Sequence, residues 1–149
     1  MSRKKTAAKP PKAGLVIDSS ISVAWCFRDE QDEYSQSVLD ALVSEQALVP
    51  DLWHLEVANT LLVGERRRRS THANTVTWLG FLCSLPIAVD DETKAQSFAN
   101  TLNLARDHNL SAYDAAYLEL AIRKNACLAS CDAALVAAAA RRRIVVLTV

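Results

Sequence analysis

Apolar positions along the chain follow two alternating rhythms. Short unbroken apolar runs, Leu15-Val16-Ile17, Leu48-Val49-Pro50, Ile87-Ala88-Val89, Cys127-Leu128-Ala129-Ser130 and residues 144–147, show no polar alternation. That is the pattern of strands covered on both faces, as at the centre of a parallel sheet. Between them lie longer stretches with apolar residues at helical spacing. They predict helices over residues 19–27, 34–45, 52–68, 70–85 and 111–124, one from the Asp90-Asp91 pair to about His108, and an alanine-rich one opened by Asp132. In the 52–68 helix the predicted apolar strip is Leu55, Ala58, Leu61 and Leu62, beside a polar strip of Glu56, Asn59 and Thr60. Asp90 and Asp91 read as helix caps only.

Strands alternating with helices, without hairpin signals and with only three glycines, predict an α/β fold: a three-layer sandwich with a mostly parallel central sheet. A length of 149 residues suits one domain. Residues 1–13, with Pro10-Pro11 and almost nothing to bury, read as a flexible basic tail, which leaves 14–149 as the folded unit. No apolar run reaches the roughly 18 residues of a membrane span and no secretory signal core is present, so a soluble, cytoplasmic protein is expected.

The net charge is zero, with 17 basic and 17 acidic side chains. Five of the basic ones (Arg3, Lys4, Lys5, Lys9, Lys12) lie in the tail, so the body is left with 12 against 17 acids. Seven of those 12 form two runs, Arg66, Arg67, Arg68, Arg69 and Arg141, Arg142, Arg143. Each run closes a predicted helix, where cations favour the helix dipole, and each is also a candidate RNA-contacting patch. Much of the body is therefore acidic and would suit a cation. The four cysteines form no CxxC pair and the histidines no HxxxH spacing, so they read as thiols and packing residues, not as zinc ligands.

Four acids stand where the chain passes from strand or turn into helix: Asp18, Glu56, Asp114 and Asp132. Each alone is explained as a cap or a first-turn acid. Taken together they say more. Asp114 shares a helix face with Tyr117, Leu118 and Ala121, a packing face. Asp18 and Asp132 follow apolar strands, which in a parallel sheet brings them to its carboxyl edge, where ligands collect. Carboxylates gathered there repel one another unless a charge offsets them. An all-oxygen ligand set selects hard cations, Mg²⁺ or Mn²⁺, which can activate water against a phosphodiester. No Walker-type glycine loop is present.

The motifs Val16-Ile17-Asp18-Ser19-Ser20, Val49-Pro50-Asp51-Leu52-Trp53-His54-Leu55-Glu56-Val57-Ala58-Asn59, Leu110-Ser111-Ala112-Tyr113-Asp114-Ala115-Ala116-Tyr117 and Leu128-Ala129-Ser130-Cys131-Asp132 resemble, in order and separation, those of PIN-domain nucleases. Within that family the chain resembles the VapC-like toxins. The resemblance implies that Asp18, Glu56, Asp114 and Asp132 are catalytic and bind one or two Mg²⁺ or Mn²⁺ ions. It implies supporting roles for Ser20, Asn59 and Ser130; Ser130 stands where threonine is commoner. It further implies an endoribonuclease acting on RNA, a homodimer, and a VapB-like antitoxin as partner. A non-catalytic PIN-fold protein that binds RNA or a partner is the alternative. A phospho-accepting receiver domain also gathers acids at a sheet edge, but it wants a lysine on a late strand, and here there is none.

Overall fold

Leu15–Ile17 forms β1, and its three side chains are buried on both faces of a four-stranded sheet. The computed structural model describes residues 14–148; the tail assigned to residues 1–13 lies outside them. The other strands are β2 (Ala47–Pro50), β3 (Ile87–Asp90) and β4 (Cys127–Ala129). Their order is β3-β2-β1-β4 and every pairing is parallel. Val16 lies opposite Leu48 on one side and Leu128 on the other.

The helices are α1 (Ser19–Cys26), α2 (Glu33–Ala41), α3 (Trp53–Arg66), α4 (His72–Ser84), α5 (Thr93–Gln96), α6 (Leu102–His108), α7 (Ala112–Lys124) and α8 (Ala133–Arg141). From β1 through β2 to β3 the chain steps one way across the sheet, then returns past β1 to β4. Right-handed crossovers therefore put α1 to α4 on one face and α5 to α7 on the other. The packing agrees: α1 rests on α2 and α3, while α7 covers β1, β2 and β4 and is flanked by α6 and α8. The predicted three-layer α/β sandwich is what forms. The chain leaves β1 and β4 in opposite directions, so the crevice beyond their carboxyl ends is a topological switch point, the usual ligand position in such sheets.

Several elements differ from the sequence expectation. The apolar strip of α3 is Trp53, Val57, Leu61 and Gly64, all buried, whereas Leu55 is 76% exposed and Leu62 40%. Two neighbouring apolar strips run along this helix, and tertiary partners choose between them. The Trp53 indole donates to Ser22 Oγ at 3.0 Å, and a Cβ on Gly64 would lie 2.8 Å from Phe27 Cζ, so only glycine allows that approach. Asp90 is not a cap: it ends β3, and its carboxylate receives two bonds from Arg123, at 2.9 and 2.7 Å. The helix predicted to run to His108 is broken into α5, one π-helical turn at Ser97–Thr101, and α6. Residues 144–147 make a single parallel bridge, Leu128 to Val146, instead of a strand. The helix predicted over 34–45 stops at Ala41.

Candidate functional site

β1 delivers Asp18 directly into the crevice. Asp18 caps α1, accepting from the Ile21 N–H at 3.3 Å, yet its residue is only 4% exposed, unusual for a cap. Two serines supply the remaining bonds. Ser20 Oγ donates to Asp18 Oδ1 and Ser130 Oγ to Asp18 Oδ2, both at 2.5 Å. Each hydroxyl is itself oriented by a backbone N–H: Ser20 Oγ accepts from Cys131 at 3.3 Å, and Ser130 Oγ from Asp132 at 3.0 Å. With their acceptor side engaged, both hydroxyls point their protons at Asp18, which favours its ionised form.

Glu56 projects from the first turn of α3 and Asp114 from the first turn of α7. Tyr117, one turn beyond Asp114 and 1% exposed, donates its hydroxyl to Glu56 Oε1 at 2.6 Å and so ties α7 to α3. Ser111 caps α7 by accepting the Asp114 N–H at 3.0 Å. Asp132 caps α8 through the Leu135 N–H at 2.8 Å. Asn59 is exposed, and the neighbouring Thr60 hydroxyl bonds the Glu56 carbonyl at 2.9 Å.

Burial pushes the Asp18 carboxyl above the usual carboxylate range; Ser130, Ser20 and the Ile21 N–H oppose the rise, and the Asp114 charge adds to it. Burial also raises Glu56, opposed by the Tyr117 hydrogen bond and reinforced by Asp114 and Asp18. Burial raises Asp114 too, with Asp132 adding repulsion and Ser111 opposing. Asp18, Glu56 and Asp114 thus repel one another, Asp132 repels Asp114, and no basic side chain among the described residues contributes to any of the three shifts. An all-oxygen set with uncompensated, desolvated negative charge fits a hard divalent cation. As the side chains stand, no three His, Cys, Asp or Glu groups among the described residues are close enough to hold one ion.

The two arginine runs close α3 and α8, each with one residue in the left-handed region, Arg68 (φ 57°) and Arg143 (φ 57°). Two of the seven are engaged elsewhere. Arg69 pairs with Asp29 at 3.0 Å and lies 4.3 Å above the Phe27 ring, and Arg142 bonds Asp107 at 3.1 Å and His108 Nε2 at 2.9 Å. Arg66, Arg67, Arg68, Arg141 and Arg143 are exposed.

Two site residues went unassigned in the sequence reading. Tyr117 was visible only as a companion of Asp114 on one face, three positions on. Tyr34, whose hydroxyl accepts from the Ser130 N–H at 3.3 Å, carried no signal, because its partner lies 96 positions away.

No curated protein sequence matches the chain. Among solved structures it is similar to PAE2754 of Pyrobaculum aerophilum, with 22% identity, a TM-score of 0.62, and 84% of this chain and 78% of that one covered. It is also similar to VapC20 of Mycobacterium tuberculosis, described as a sarcin–ricin loop cleaving toxin: 17% identity, TM-score 0.59, 84% and 95% covered. A third likeness is to VapBC2 of Rickettsia felis, solved with a DNA fragment from its promoter: 15% identity, TM-score 0.59, 89% and 96% covered. At these identities the likeness concerns the fold. A family model for the PIN domain matches residues 15–148, nearly the whole of the described chain, and the protein therefore belongs to the PIN domain family.

Proposed function

We propose that this protein is a metal-dependent endoribonuclease, the toxin of a toxin–antitoxin pair, with Asp18, Glu56, Asp114 and Asp132 as its catalytic carboxylates. The observation that carries the reading is the set of three desolvated carboxyls, Asp18, Glu56 and Asp114, raised in pKa without a basic partner among the described residues. Membership of the PIN family supports nuclease chemistry, and the RNA-cleaving VapC20 toxin among its structural likenesses supports RNA as substrate.

The four carboxylates would hold Mg²⁺ or Mn²⁺, which when bound supplies activation of water and neutralisation of charge at the scissile phosphodiester. The chain's own contribution is positional. Ser20 and Ser130 oppose the rise in the Asp18 pKa and fix both of its oxygens. Tyr117 does the same for one oxygen of Glu56. The exposed members of the arginine runs, Arg66, Arg67, Arg68, Arg141 and Arg143, give the RNA backbone cationic contacts. Asn59 supports the site from the exposed side of α3.

An antitoxin of the VapB kind is the proposed partner, and the protein is proposed to act as a homodimer in the cytoplasm. The support for a protein partner is a cleft between α3, α4 and β3, walled by Trp53, Val57, Leu79, Leu82 and Val89, of which Leu79 and Val89 are exposed. No helix among the described residues is long and apolar enough to cross a membrane.

One observation favours the second reading, a non-catalytic PIN domain that binds RNA or a partner: among the described residues no three His, Cys, Asp or Glu side chains stand within reach of one ion. Sequencing of RNA ends after brief induction separates the two. The nuclease reading expects new 5′-phosphate ends at defined positions, absent with Asp114→Asn. Unchanged RNA ends with the wild-type protein would favour the non-catalytic reading.

A further inference from the structure

A cavity of 360 Å³ opens between the start of α3, the broken helix after β3 and the first turn of α7. Two of the four acids, Glu56 and Asp114, stand on the same two helices, α3 and α7. Leu52 on its wall accepts the Glu56 N–H at 3.0 Å, and Ala112 and Tyr113 immediately precede Asp114. Two threonines line it, Thr93 (7% exposed) and Thr101 (3% exposed), and neither hydroxyl has a hydrogen-bond partner among the described residues.

Three other helical hydroxyls bond the carbonyl four residues back, Thr60 to Glu56 at 2.9 Å, Thr77 to Ala73 at 3.2 Å and Ser97 to Thr93 at 2.7 Å. Ser70 and Thr75 are the other buried hydroxyls without a partner among the described residues, and neither lines this cavity. Thr101 ends the π-helical turn, where the usual spacing to the preceding turn is lost. A buried hydroxyl without a partner is costly, and valine would fill the same space without that cost. A hydroxyl retained there is explained by a ligand that bonds it.

We propose that this cavity receives one unpaired nucleobase of the RNA, held by edge bonds to Thr93 and Thr101 and by stacking on Tyr113. The proposal rests on the RNA substrate proposed above. Tyr113 is 65% exposed, so its ring is available as a stacking platform. Leu52, Ala112 and Ala116 give apolar walls that suit a flat ring. Asp51, in the lining, repels a phosphate but not a neutral base, and Lys94, also in the lining, is available to the adjoining phosphate. A base held in a duplex cannot enter, so the subsite selects unpaired RNA.

The test is fluorescence anisotropy of short single-stranded RNAs in EDTA, which prevents cleavage, with the full chain and its Thr101→Val, Thr93→Val and Tyr113→Ala variants. One abasic site is stepped along the RNA. Thr101→Val and Thr93→Val are expected to melt no lower than wild type, because each removes a hydroxyl without a partner. Binding is expected to weaken about tenfold for each threonine variant and about tenfold or more for Tyr113→Ala. One abasic position should weaken wild-type binding by more than any single variant does, and should cost each variant about tenfold less than it costs wild type. Variants that bind every RNA as wild type does, or that lose affinity equally whether or not the base is present, would overturn the subsite. A wild type that shows the abasic effect yet cuts no RNA with Mn²⁺ would overturn the nuclease reading while supporting the subsite; a wild type that binds no RNA would overturn both.

Discussion

Tyr117 on α7 and Glu56 on α3 are joined by one hydrogen bond of 2.6 Å across the mouth of the crevice, from a phenol that is 1% exposed. Burial and the adjacent carboxylate push the tyrosine's own ionisation far upward, so it acts only as a donor. Tyr117→Phe keeps the ring packing and removes that donor. Stability should fall by about 1–3 kcal/mol, the range for a hydrogen bond to a charged group. Because the tyrosine opposes the rise in the Glu56 pKa, the acid limb of the cleavage profile should move to higher pH. Urea unfolding and a pH–rate profile measure both; an unmoved limb would remove Glu56 from the reaction.

Ser130 bridges the ends of two strands, donating to Asp18 and accepting from Asp132. Ser130→Ala should lower Mn²⁺ affinity about 10- to 100-fold, the usual effect of losing a residue that orients a ligand. Ser130→Thr keeps the hydroxyl and should restore most of it. Calorimetric titration compares the three proteins, and equal affinity in the alanine variant would show that Asp18 needs no such support.

The pH dependence of stability has two opposing parts. Asp18, Glu56 and Asp114 have raised pKa values in the fold, so the stability they contribute is complete below their ordinary values of 3.8 to 4.5 and is lost as pH rises through the folded values. Asp90, held low chiefly by its Arg123 bonds, acts in the other direction: its contribution is present above 3.8 and is lost as pH falls through its folded value. The metal-free protein should therefore lose stability as pH rises above the ordinary carboxylate range and these acids ionise, and Mn²⁺ should raise the melting temperature more at the higher pH. Thermal melts in EDTA and in Mn²⁺ check this; a Mn²⁺ effect independent of pH would contradict it.

Arg123 holds Asp90 and Glu119, which are 8% and 4% exposed, at 2.7 Å each, and stands 3.2 Å from Glu92. Arg123→Met would leave two buried carboxylates without their cation, at a cost of about 3–5 kcal/mol. Lysine cannot reproduce the forked contact and should recover only part of that. Denaturant unfolding gives the loss. The folded fraction should retain wild-type Mn²⁺ affinity, since this cluster is separate from the crevice.

The sheet was legible because its strands are short apolar runs, and the four carboxylates because each begins a helix. What the sequence left open depended on partners distant along the chain. Leu55, Ala58 and Leu62 match helical spacing as well as Trp53, Val57 and Leu61 do; Ser22 and Phe27 choose the inward strip. Asp90 resembles a cap until Arg123, 33 positions later, reaches it. Residues 144–147 have strand composition but find only the edge of β4, through Leu128. Ser20 and Ser130 could be placed near Asp18, but the direction of their hydroxyl protons is set by the N–H groups of Cys131 and Asp132.

The central claim is that Asp18 and Asp114 belong to one cation site that serves RNA hydrolysis. Mn²⁺ binding followed by electron paramagnetic resonance at about pH 8, for wild type, Asp18→Asn and Asp114→Asn, tests it most directly, alongside cleavage of RNA by the same samples. The account predicts tight binding by wild type, and loss of both binding and cleavage by about 100-fold or more in each variant, both remaining folded. Cleavage that persists undiminished in both variants, or wild-type Mn²⁺ binding that neither substitution weakens, would contradict it.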